Sequence, residues 1–363
     1  MFKKKMLSKL IAMTVMTGSL TFMPVMSVVD DIVDLPQTKS VAYAETNEDY
    51  QKQIDSYTEQ ININPNDAEL YYKRGIAYMN FYEANNPAND YLSTKSESDI
   101  STLQTLQKNA YEDFTKAIAL NPNFAEAYCA RGMVYTAKSG LINELKYTIL
   151  IRNSNETIDD FEKAIALKPD YSEAYYGRGM AYDMLANARV VIINSDKNED
   201  NLRARMILRE TFKRAYNDYS KAIELNPNNW QYYRKRANVS WILSKYKEVI
   251  NDCNKMLELK NDDAKIYEMR GETYFHIKNY DAAIADYTNA IELYIKANVY
   301  SGTIGGAYYG RAQVYEKMKD YNNALSDYNK ALEYGLILKS DLEKAQKGQK
   351  RMQKKVNKIS KNK

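Results

Sequence analysis

One pattern of small and aromatic residues recurs six times along this chain of 363 residues. The pattern is clearest in residues 264–293, AKIYEMRGETYFHIKNYDAAIADYTNAIEL, which contain Tyr267, Gly271 and Tyr274, then Ala283, Tyr287 and Ala290. Spacings of four and three residues place each trio on one face of a helix. The stretch therefore predicts two amphipathic helices joined by a short turn near Lys278.

Counting Ala264 as position 1, the pattern has Tyr at position 4, Gly at 8, Tyr at 11, Ala at 20, an aromatic residue at 24 and Ala at 27. This order resembles the tetratricopeptide repeat, a helix-turn-helix unit of about 34 residues. The resemblance implies an all-α fold, a right-handed solenoid of about six helical hairpins. Small residues at positions 8, 20 and 27 then let paired helices approach closely. The resemblance covers about residues 48–335 and implies protein binding rather than a particular substrate.

The domain boundaries follow from aligning every recurrence on this numbering. Units are predicted at residues 68–122, 125–169, 172–227, 230–261, 264–295 and 305–336, within a repeat region at 67–336. Residues 45–66 are predicted to be a lone second helix that caps the first unit, and residues 337–363 a basic capping helix and tail.

The first three units carry long insertions at the turn between their helices. In the third insertion, both helices are predicted to continue and to break near residues 194–200, where Asn, Ser and Asp cluster. The insertions predict projecting hairpins along one edge of the repeat region. Two interpretations stay open, because insertions of this kind either form a binding face or are variable, solvent-exposed elaborations.

Two charged positions are identical in all six units. Position 7 is arginine and position 23 is aspartate, which gives the pairs Arg74 and Asp113, Arg131 and Asp160, Arg178 and Asp218, Arg236 and Asp252, Arg270 and Asp286, and Arg311 and Asp327. The lone helix at 45–66 has no arginine helix before it, and its position 23 is Ser56. We therefore expect each pair to form within one unit, as a bidentate bridge that sets the register of the hairpin.

The first residues have the layout of a secretory signal. Four lysines in residues 1–9 precede twenty uncharged residues, and Ala42-Tyr43-Ala44 offers a cleavage site. Residues 1–44 are predicted to be a signal peptide, and the repeats to act outside the cytoplasm, since the positive end stays inside. The alternative is an uncleaved N-terminal membrane anchor, because twenty uncharged residues can just span a bilayer.

Tyrosine is abundant, with 33 Tyr against 8 Phe. A repeat protein has much half-buried surface, where a Tyr ring is covered while its hydroxyl meets water; a dedicated Tyr-lined binding surface is the alternative. Cys129 and Cys253 fall in different units, too far apart for a disulfide. With His276 as the single histidine, a zinc site or a Cys-His nucleophile is not expected. No metal or cofactor is predicted.

The family resemblance also implies where a partner binds. In tetratricopeptide proteins, the first helices line a concave groove, chiefly through positions 2, 5, 9, 12 and 13. The groove residues predicted here are Tyr72, Ile76, Met79, Met133, Tyr176, Met180, Asp183, Met184, Arg234, Asn238 and Trp241. Methionine and tyrosine suit an apolar or weakly basic peptide; the other interpretation is packing against the preceding second helix. The lysines and asparagines that clamp chaperone carboxylates in some of these proteins are absent.

The C-terminal tail is strongly basic. After Glu343 the chain has nine Lys and Arg and no acidic residue. This tail predicts either a solvated helix end or attraction to an anionic envelope surface. Export argues against nucleic acid as a partner.

Together, these patterns favour a non-enzymatic scaffold that binds an unidentified protein or peptide outside the cytoplasm. The alternative is a cell-envelope assembly factor held on an anionic surface by its basic tail. A hydrolase is a third class, but the chain has no G-x-S-x-G, no H-E-x-x-H and no phosphate-binding loop.

Overall fold

The computed structural model describes residues 46–85, 97–136, 145–195, 202–260, 263–299 and 301–361 of the chain. These residues form helices and connecting turns, with no strand among them. The all-α class predicted from the repeat pattern is confirmed. The predicted signal peptide, residues 1–44, lies outside the described ranges. Of the helices within those ranges, none combines the length and the apolar character needed to cross a membrane.

The chain divides into two compact units, here called the N unit and the C unit. The described part of the N unit, residues 46–227, contains α1 (Asn47–Ile63), α2 (Ala68–Asn85), α3 (Glu97–Leu120), α4 (Ala125–Thr136), α5 (Leu145–Leu167), α6 (Ser172–Ser195) and α7 (Leu202–Leu225). The described part of the C unit, residues 228–361, contains α8 (Trp230–Ile242), α9 (Tyr246–Leu259), α10 (Ala264–His276), α11 (Tyr280–Lys296), α12 (Ser301–Met318), α13 (Tyr321–Tyr334) and α14 (Lys339–Lys361).

Each predicted repeat is one helical hairpin. In the N unit, α2 packs on α3, α4 on α5 and α6 on α7; in the C unit, α8 packs on α9, α10 on α11 and α12 on α13. The first helices of successive hairpins also touch, since α2 contacts α4, α4 contacts α6, and α10 contacts α12. Both units therefore contain a layer of first helices. The segments predicted as caps form α1, which packs on α2, and α14, which packs on α13.

The ends of the helices are set by capping residues and by left-handed turns. Asn229 and Asp263 cap α8 and α10 by accepting hydrogen bonds from backbone amides of the first turn. In the C unit, the residue at position 15 of each hairpin has a positive φ, as seen at Ser244 (61°), Lys278 (65°) and Lys319 (62°). A single residue in this conformation ends the first helix and reverses the chain. The turn predicted near Lys278 has this geometry.

The third hairpin of the N unit is longer than the hairpins of the C unit. Helices α6 and α7 have 24 residues each, whereas α8 and α9 have 13 and 14. Helix α6 ends at Ser195 and α7 begins at Leu202, so both helices continue into the insertion, as expected. This long hairpin and α5 line a cleft of about 460 Å³ that includes Ile158, Leu185 and Ile207.

The start of the sixth hairpin differs from its prediction. The unit is predicted to begin at residue 305, but α12 begins at Ser301. The preceding helix α11 ends at Lys296, and Asn298 has a φ of 49°. The chain reverses at once after α11, and α12 therefore gains an extra turn at its N-terminus.

Aromatic rings at position 24 fill the space between neighbouring first helices. A Cβ added at position 8 would collide with the ring of the paired helix at Gly75 with Phe114, Gly132 with Phe161, and Gly179 with Tyr219. The same rings meet glycines of the following first helix at Gly177 with Phe161, Gly310 with Tyr287, and Gly348 with Tyr328. Each of these rings is less than 6% exposed. Small residues are needed opposite the ring because the interior is close-packed.

Candidate protein-binding surface

Each arginine at position 7 forms a bidentate ion pair with the aspartate at position 23 of its own hairpin. Its Nε and Nη2 donate to the two carboxylate oxygens at 2.6–3.0 Å in Arg74 and Asp113, Arg131 and Asp160, Arg178 and Asp218, Arg236 and Asp252, Arg270 and Asp286, and Arg311 and Asp327. Burial raises the pKa of Asp218, and the hydrogen bonds from Arg178 oppose that shift. Two parallel bonds hold the paired helices in one register.

The guanidinium of each pair also lies over the ring of the tyrosine at position 4. The distance from arginine Cζ to the ring centroid is 5.5–5.8 Å at Tyr71, Tyr128, Tyr175, Tyr233, Tyr267 and Tyr308. A cation at this distance is attracted by the face of the ring. This packing supports a structural origin for part of the tyrosine excess.

The same arginine reaches back to the preceding hairpin. Nη1 of Arg270 donates to Asn254 Oδ1 at 2.6 Å, and Nη1 of Arg311 donates to Thr288 Oγ1 at 2.8 Å. In the N unit, the equivalent partners of Nη1 are Thr58 at 3.1 Å from Arg74, Thr115 at 3.4 Å from Arg131, and Glu162 at 3.9 Å from Arg178. All five partners occupy position 25 of the preceding second helix. These arginines therefore join three helices and link neighbouring hairpins.

The last helix also contacts position 25 of the preceding helix, although it does so through a glutamine and not an arginine. In α14, Gln349 Nε2 donates to Asn329 Oδ1, at position 25 of α13, at 2.7 Å. The predicted pair with aspartate is one of the three contacts that the arginines make. The contact between hairpins was not predicted, because position 25 varies among Thr, Ser, Glu and Asn.

We define the first-helix face as positions 2, 5, 9, 12 and 13 of the first helices, where the predicted groove residues lie. Six of the predicted side chains are half-buried and keep some surface: Tyr72, Ile76, Asp183, Met184, Arg234 and Asn238. Asp183 accepts a hydrogen bond from Asn187 at 3.0 Å, and the Arg234 guanidinium lies 5.0 Å from the ring centroid of Trp230. These six positions offer contact area to a partner.

The other five predicted groove residues are buried, which corrects their assignment as contact residues. They are Met79 (2% exposed), Met133 (2%), Tyr176 (6%), Met180 (4%) and Trp241 (3%). Met79 shares a core cluster with Leu103 and Leu106, which come from the inserted part of α3. Met133 packs beside Gly177 of the neighbouring first helix. Their apolar character therefore serves packing, the other interpretation left open by the sequence.

Trp241 is covered by rings within the C unit. Its centroid lies 5.3 Å from that of Tyr246 and 4.7 Å from that of His276, both near perpendicular. Tyr246 and His276 are themselves stacked at 5.7 Å. Burial lowers the pKa of His276. The single histidine is thus a packing residue in an aromatic cluster.

The first-helix face of the C unit carries two carboxylates that are outside the predicted groove set. Glu268 and Glu272 lie four residues apart on α10, and both are half-buried. Burial raises the pKa of Glu268 to about 7, although a hydrogen bond from the Tyr294 hydroxyl at 2.7 Å opposes the shift. Burial, Glu268 and Asp341 together raise the pKa of Glu272 to about 8. The sequence pattern marked their positions but not their depth.

Within the described part of the chain, the two cysteines lie in the interior and not in a cluster of metal-binding side chains. Cys129 and Cys253 are both buried and free, and burial raises the pKa of each thiol. Across the described ranges, no three or more His, Cys, Asp and Glu side chains are grouped so that they could hold a metal ion.

Residues 262–335 match the family model of the tetratricopeptide repeat. No curated protein is significantly similar to the chain in sequence. Among solved structures, the C-terminal part of a TPR repeat-containing protein from Cytophaga hutchinsonii is 14% identical, with 82% of this chain and 95% of that chain aligned and a TM-score of 0.52.

Two further solved structures are similar at lower TM-scores. YrrB, described as a TPR protein with an unusual peptide-binding site, is 19% identical over 65% of this chain and 99% of its own, with a TM-score of 0.47. PilF of Pseudomonas aeruginosa is 13% identical over 77% of this chain and 90% of its own, with a TM-score of 0.44. At these identities the similarity concerns the fold alone.

Proposed function

This chain carries tetratricopeptide repeats, and from that premise we propose that it is a non-enzymatic scaffold that binds a protein or peptide outside the cytoplasm. The observation that carries the proposal is the division of labour within each hairpin. The Arg–Asp pairs and position-24 rings, here called the hairpin frame, hold the helices together, while Asp183 and Arg234 on the first-helix face are half-buried and belong to neither set. A surface left over from packing is where a partner is bound.

The location outside the cytoplasm rests on the amino-acid sequence. Residues 1–44 combine a lysine-rich start, an uncharged stretch and an A-x-A site, which is typical of a signal peptide. N-terminal sequencing of the protein from its native source tests this point. A chain that begins near residue 45 supports export with cleavage, and a chain that retains residues 1–44 in a membrane fraction supports the anchored alternative.

The binding surface is tested by comparing two sets of substitutions in the full chain. Asp183→Lys, Arg234→Glu and Asn238→Ala change the first-helix face, and Lys116→Glu and Glu224→Lys change exposed positions of second helices as a control. Partners captured from native extracts are identified by mass spectrometry, purified and measured against both sets by calorimetry. We expect a loss of at least tenfold in affinity for the first set alone. Equal affinities for the two sets would overturn the proposal.

One structural observation favours the alternative of an envelope factor held by its tail. Helix α14 extends beyond Met352 with exposed lysines along its surface: Lys347, Lys350, Lys354, Lys355, Lys358 and Lys361. Among the described residues, none of these six lysines has an acidic partner within ion-pair distance, whereas Arg351 is held by Glu316 at 2.6 Å. An array of unpaired cations supports attraction to an anionic surface.

The tail proposal has a direct test. Glutamine at all six positions is expected to abolish sedimentation with vesicles that contain anionic lipid. The wild-type chain is expected to lose this binding between low salt and about 0.5 M salt, because exposed charges are screened. Binding that survives both the substitutions and high salt would rule out an electrostatic tail.

A further inference from the structure

The C unit contains a recess lined by two acidic and two aromatic side chains. Glu268 and Glu272 come from α10, and Tyr287 and Tyr294 come from the paired helix α11. The next first helix, α12, contributes glycines at positions 2 and 6 in place of side chains. A Cβ added at Gly306 would meet only Glu268 Oε1, at 4.0 Å. The acidic side therefore borders open space, which we call the acidic recess.

The carboxylates of the acidic recess have few partners among the described residues. Glu272 has no hydrogen-bond donor and no cation as a partner in the described residues, and the neighbouring charges acting on it are Glu268 and Asp341. Glu268 receives one hydrogen bond from Tyr294, and the nearest cation that acts on it is the exposed Lys265. Arg351, across the face on α14, is already held by Glu316. Buried carboxylates normally have a cation or donors of their own.

A third polar group independently faces the same space. Tyr287 is 5% exposed, and its hydroxyl makes no hydrogen bond within the described part of the chain. That hydroxyl lies on the α12 side, 2.8 Å from where a Cβ of Gly310 would stand. Glu272 and Glu268 raise its pKa in addition to burial, which places it beside the carboxylates. Tyr287 is a largely buried residue whose hydroxyl has no partner in the described residues, so the hydroxyl is a hydrogen-bonding position left for a ligand.

We propose that the acidic recess receives one cationic side chain, lysine or arginine, of the protein or peptide bound on the first-helix face. This proposal rests on the proposed function and names the chemistry that its partner presents. The two carboxylates supply acceptors for the cation, and Gly306 leaves room for its entry beside Glu268. An apolar or acidic side chain would leave the half-buried Glu272 without a partner.

The recess also predicts that binding releases protons. The titratable groups that act on Glu272 and Glu268 are Lys265 on α10, Tyr287 and Tyr294 on α11 and Asp341 on α14. In the free protein at neutral pH, Glu272 is mostly protonated and Glu268 is about half protonated, because burial raises their pKa values to about 8 and about 7. An incoming cation favours their ionised forms and displaces those protons. Affinity should therefore rise from pH 6 to pH 8.5.

The probe is a pair of short fluorescent peptides with blocked ends, in which a single lysine is flanked by leucine and alanine. The second peptide is identical except that the lysine is acetylated and therefore neutral. Fluorescence anisotropy with the full chain is expected to show binding of the lysine peptide at least tenfold tighter than that of the acetylated peptide. Calorimetry in buffers of different ionisation enthalpy is expected to show proton release on binding.

Three variants of the chain complete the test. Glu272→Gln is expected to lower the affinity for the lysine peptide about tenfold and to remove most of the proton release. Its affinity for the acetylated peptide should be unchanged. Gly306→Leu is expected to fill the acidic recess and to lower the affinity for the lysine peptide. Glu292→Gln, on an exposed part of α11, is the matched control and should leave that affinity unchanged. Circular dichroism checks that each variant is folded.

Equal affinity for the two peptides, absence of binding up to 1 mM peptide (roughly the limit of useful affinity), or an unchanged Glu272→Gln variant would overturn the proposal. None of these results would overturn the proposed function. The proposed function would be contradicted by a different result, namely that the captured partners bind the variants of Asp183, Arg234 and Asn238 with unchanged affinity.

Discussion

Positions 5 and 9 of the first helices hold different chemistry in the two units. In the N unit they hold Tyr72 and Ile76, Cys129 and Met133, and Tyr176 and Met180, whereas in the first two hairpins of the C unit they hold Arg234 and Asn238, and Glu268 and Glu272. The N-unit side chains are apolar and mostly buried, and the C-unit side chains are polar and half-buried. The hairpin frame is the same in both units. The frame therefore does not dictate the chemistry of the face that it supports.

The turns differ between the units as well. Hairpins of the C unit reverse through one left-handed residue at position 15, and those of the N unit carry insertions there. In the first hairpin, the inserted part of α3 provides Leu103 and Leu106, which cover Met79. Insertions in the N unit thus bury part of the face that the C unit leaves open.

The largest expected effect tests whether the Arg–Asp frame is equivalent in both units. Asp218→Leu in the N unit and Asp252→Leu in the C unit each leave a partly buried arginine without its bidentate partner, and we expect each to lose about 3–5 kcal/mol of unfolding free energy. Adding Arg178→Met to Asp218→Leu should recover at least half of the loss. Urea denaturation followed by circular dichroism measures these changes.

The control for this comparison is Glu112→Gln, an exposed position of α3, which should change stability by less than about 0.5 kcal/mol. If one of the two leucine variants behaves like this control, the pair in that unit is a surface contact and the two frames are not equivalent.

The second prediction tests the shared contact between position 6 and the preceding ring. Gly177→Ala in the N unit and Gly310→Ala in the C unit place a Cβ against Phe161 and Tyr287, and overpacking should cost each about 1–3 kcal/mol. Gly306→Ala, on the same helix as Gly310, is the matched control. It meets open space and should gain up to about 1 kcal/mol, since alanine favours the helix. Thermal unfolding separates the variants, and a common sign for the two α12 substitutions would contradict close packing at position 6.

The third prediction concerns pH and belongs to the C unit. The folded pKa values of Glu268 and Glu272, about 7 and about 8, lie above their ordinary value of 4.5, so the folded protein binds more protons than the unfolded chain between those limits. The contribution of these two groups to stability is therefore fully present below about pH 4.5 and is lost as pH rises toward 8. Glu272→Gln should remove part of this decline and be about 1–3 kcal/mol more stable than the wild type at pH 9.

A variant of opposite sign controls for general effects of pH. Burial raises the pKa of Glu316, but hydrogen bonds from Arg351 and Tyr328 outweigh burial and lower it. Its contribution is present above the ordinary pKa and is lost as pH falls. Glu316→Gln should therefore destabilise the protein at neutral pH, where Glu272→Gln does not. If the stability of the two variants changed with pH in the same way, burial would not distinguish Glu272 from Glu316.

The smallest expected effect tests the turns of the C unit. Lys278 and Lys319 have φ values of 65° and 62°, which glycine adopts without cost. Lys278→Gly and Lys319→Gly should each raise stability by about 0.5–1 kcal/mol, measured as a shift in thermal midpoint. Lys278→Ala is the control and should give no gain. A gain for alanine equal to that for glycine would assign the effect to the lost lysine side chain.

The sequence predicts the frame well because the frame repeats. Arg and Asp recur at fixed positions in six units, and two helical periods joined by a turn leave one way to bring them together. The same regularity predicts the all-α hairpins, and the cluster of Asn, Ser and Asp near residues 194–200 predicts the break between α6 and α7. The early start of α12 escapes prediction because it depends on the local reversal at Asn298.

The candidate surface is less predictable, since position in a repeat identifies a face but not its depth. Met133 and Glu272 both occupy position 9, yet Met133 is covered by the neighbouring helix and Glu272 is half-buried. The difference arises from side chains on other helices, among them the absent ones at Gly306 and Gly310. The amino-acid sequence of one chain does not reveal which side chains of different helices lie together in this way.

The backward contact of the position-7 arginine has a consequence for how such a protein changes length. Its Nη1 is satisfied by a hydroxyl, an amide or a carboxylate at position 25, so the contact does not require a particular predecessor. A hairpin copied by gene duplication would carry its own position-7 arginine, which could contact position 25 of any preceding hairpin. Growth or loss by whole hairpins would then need no compensating substitution at the new junction.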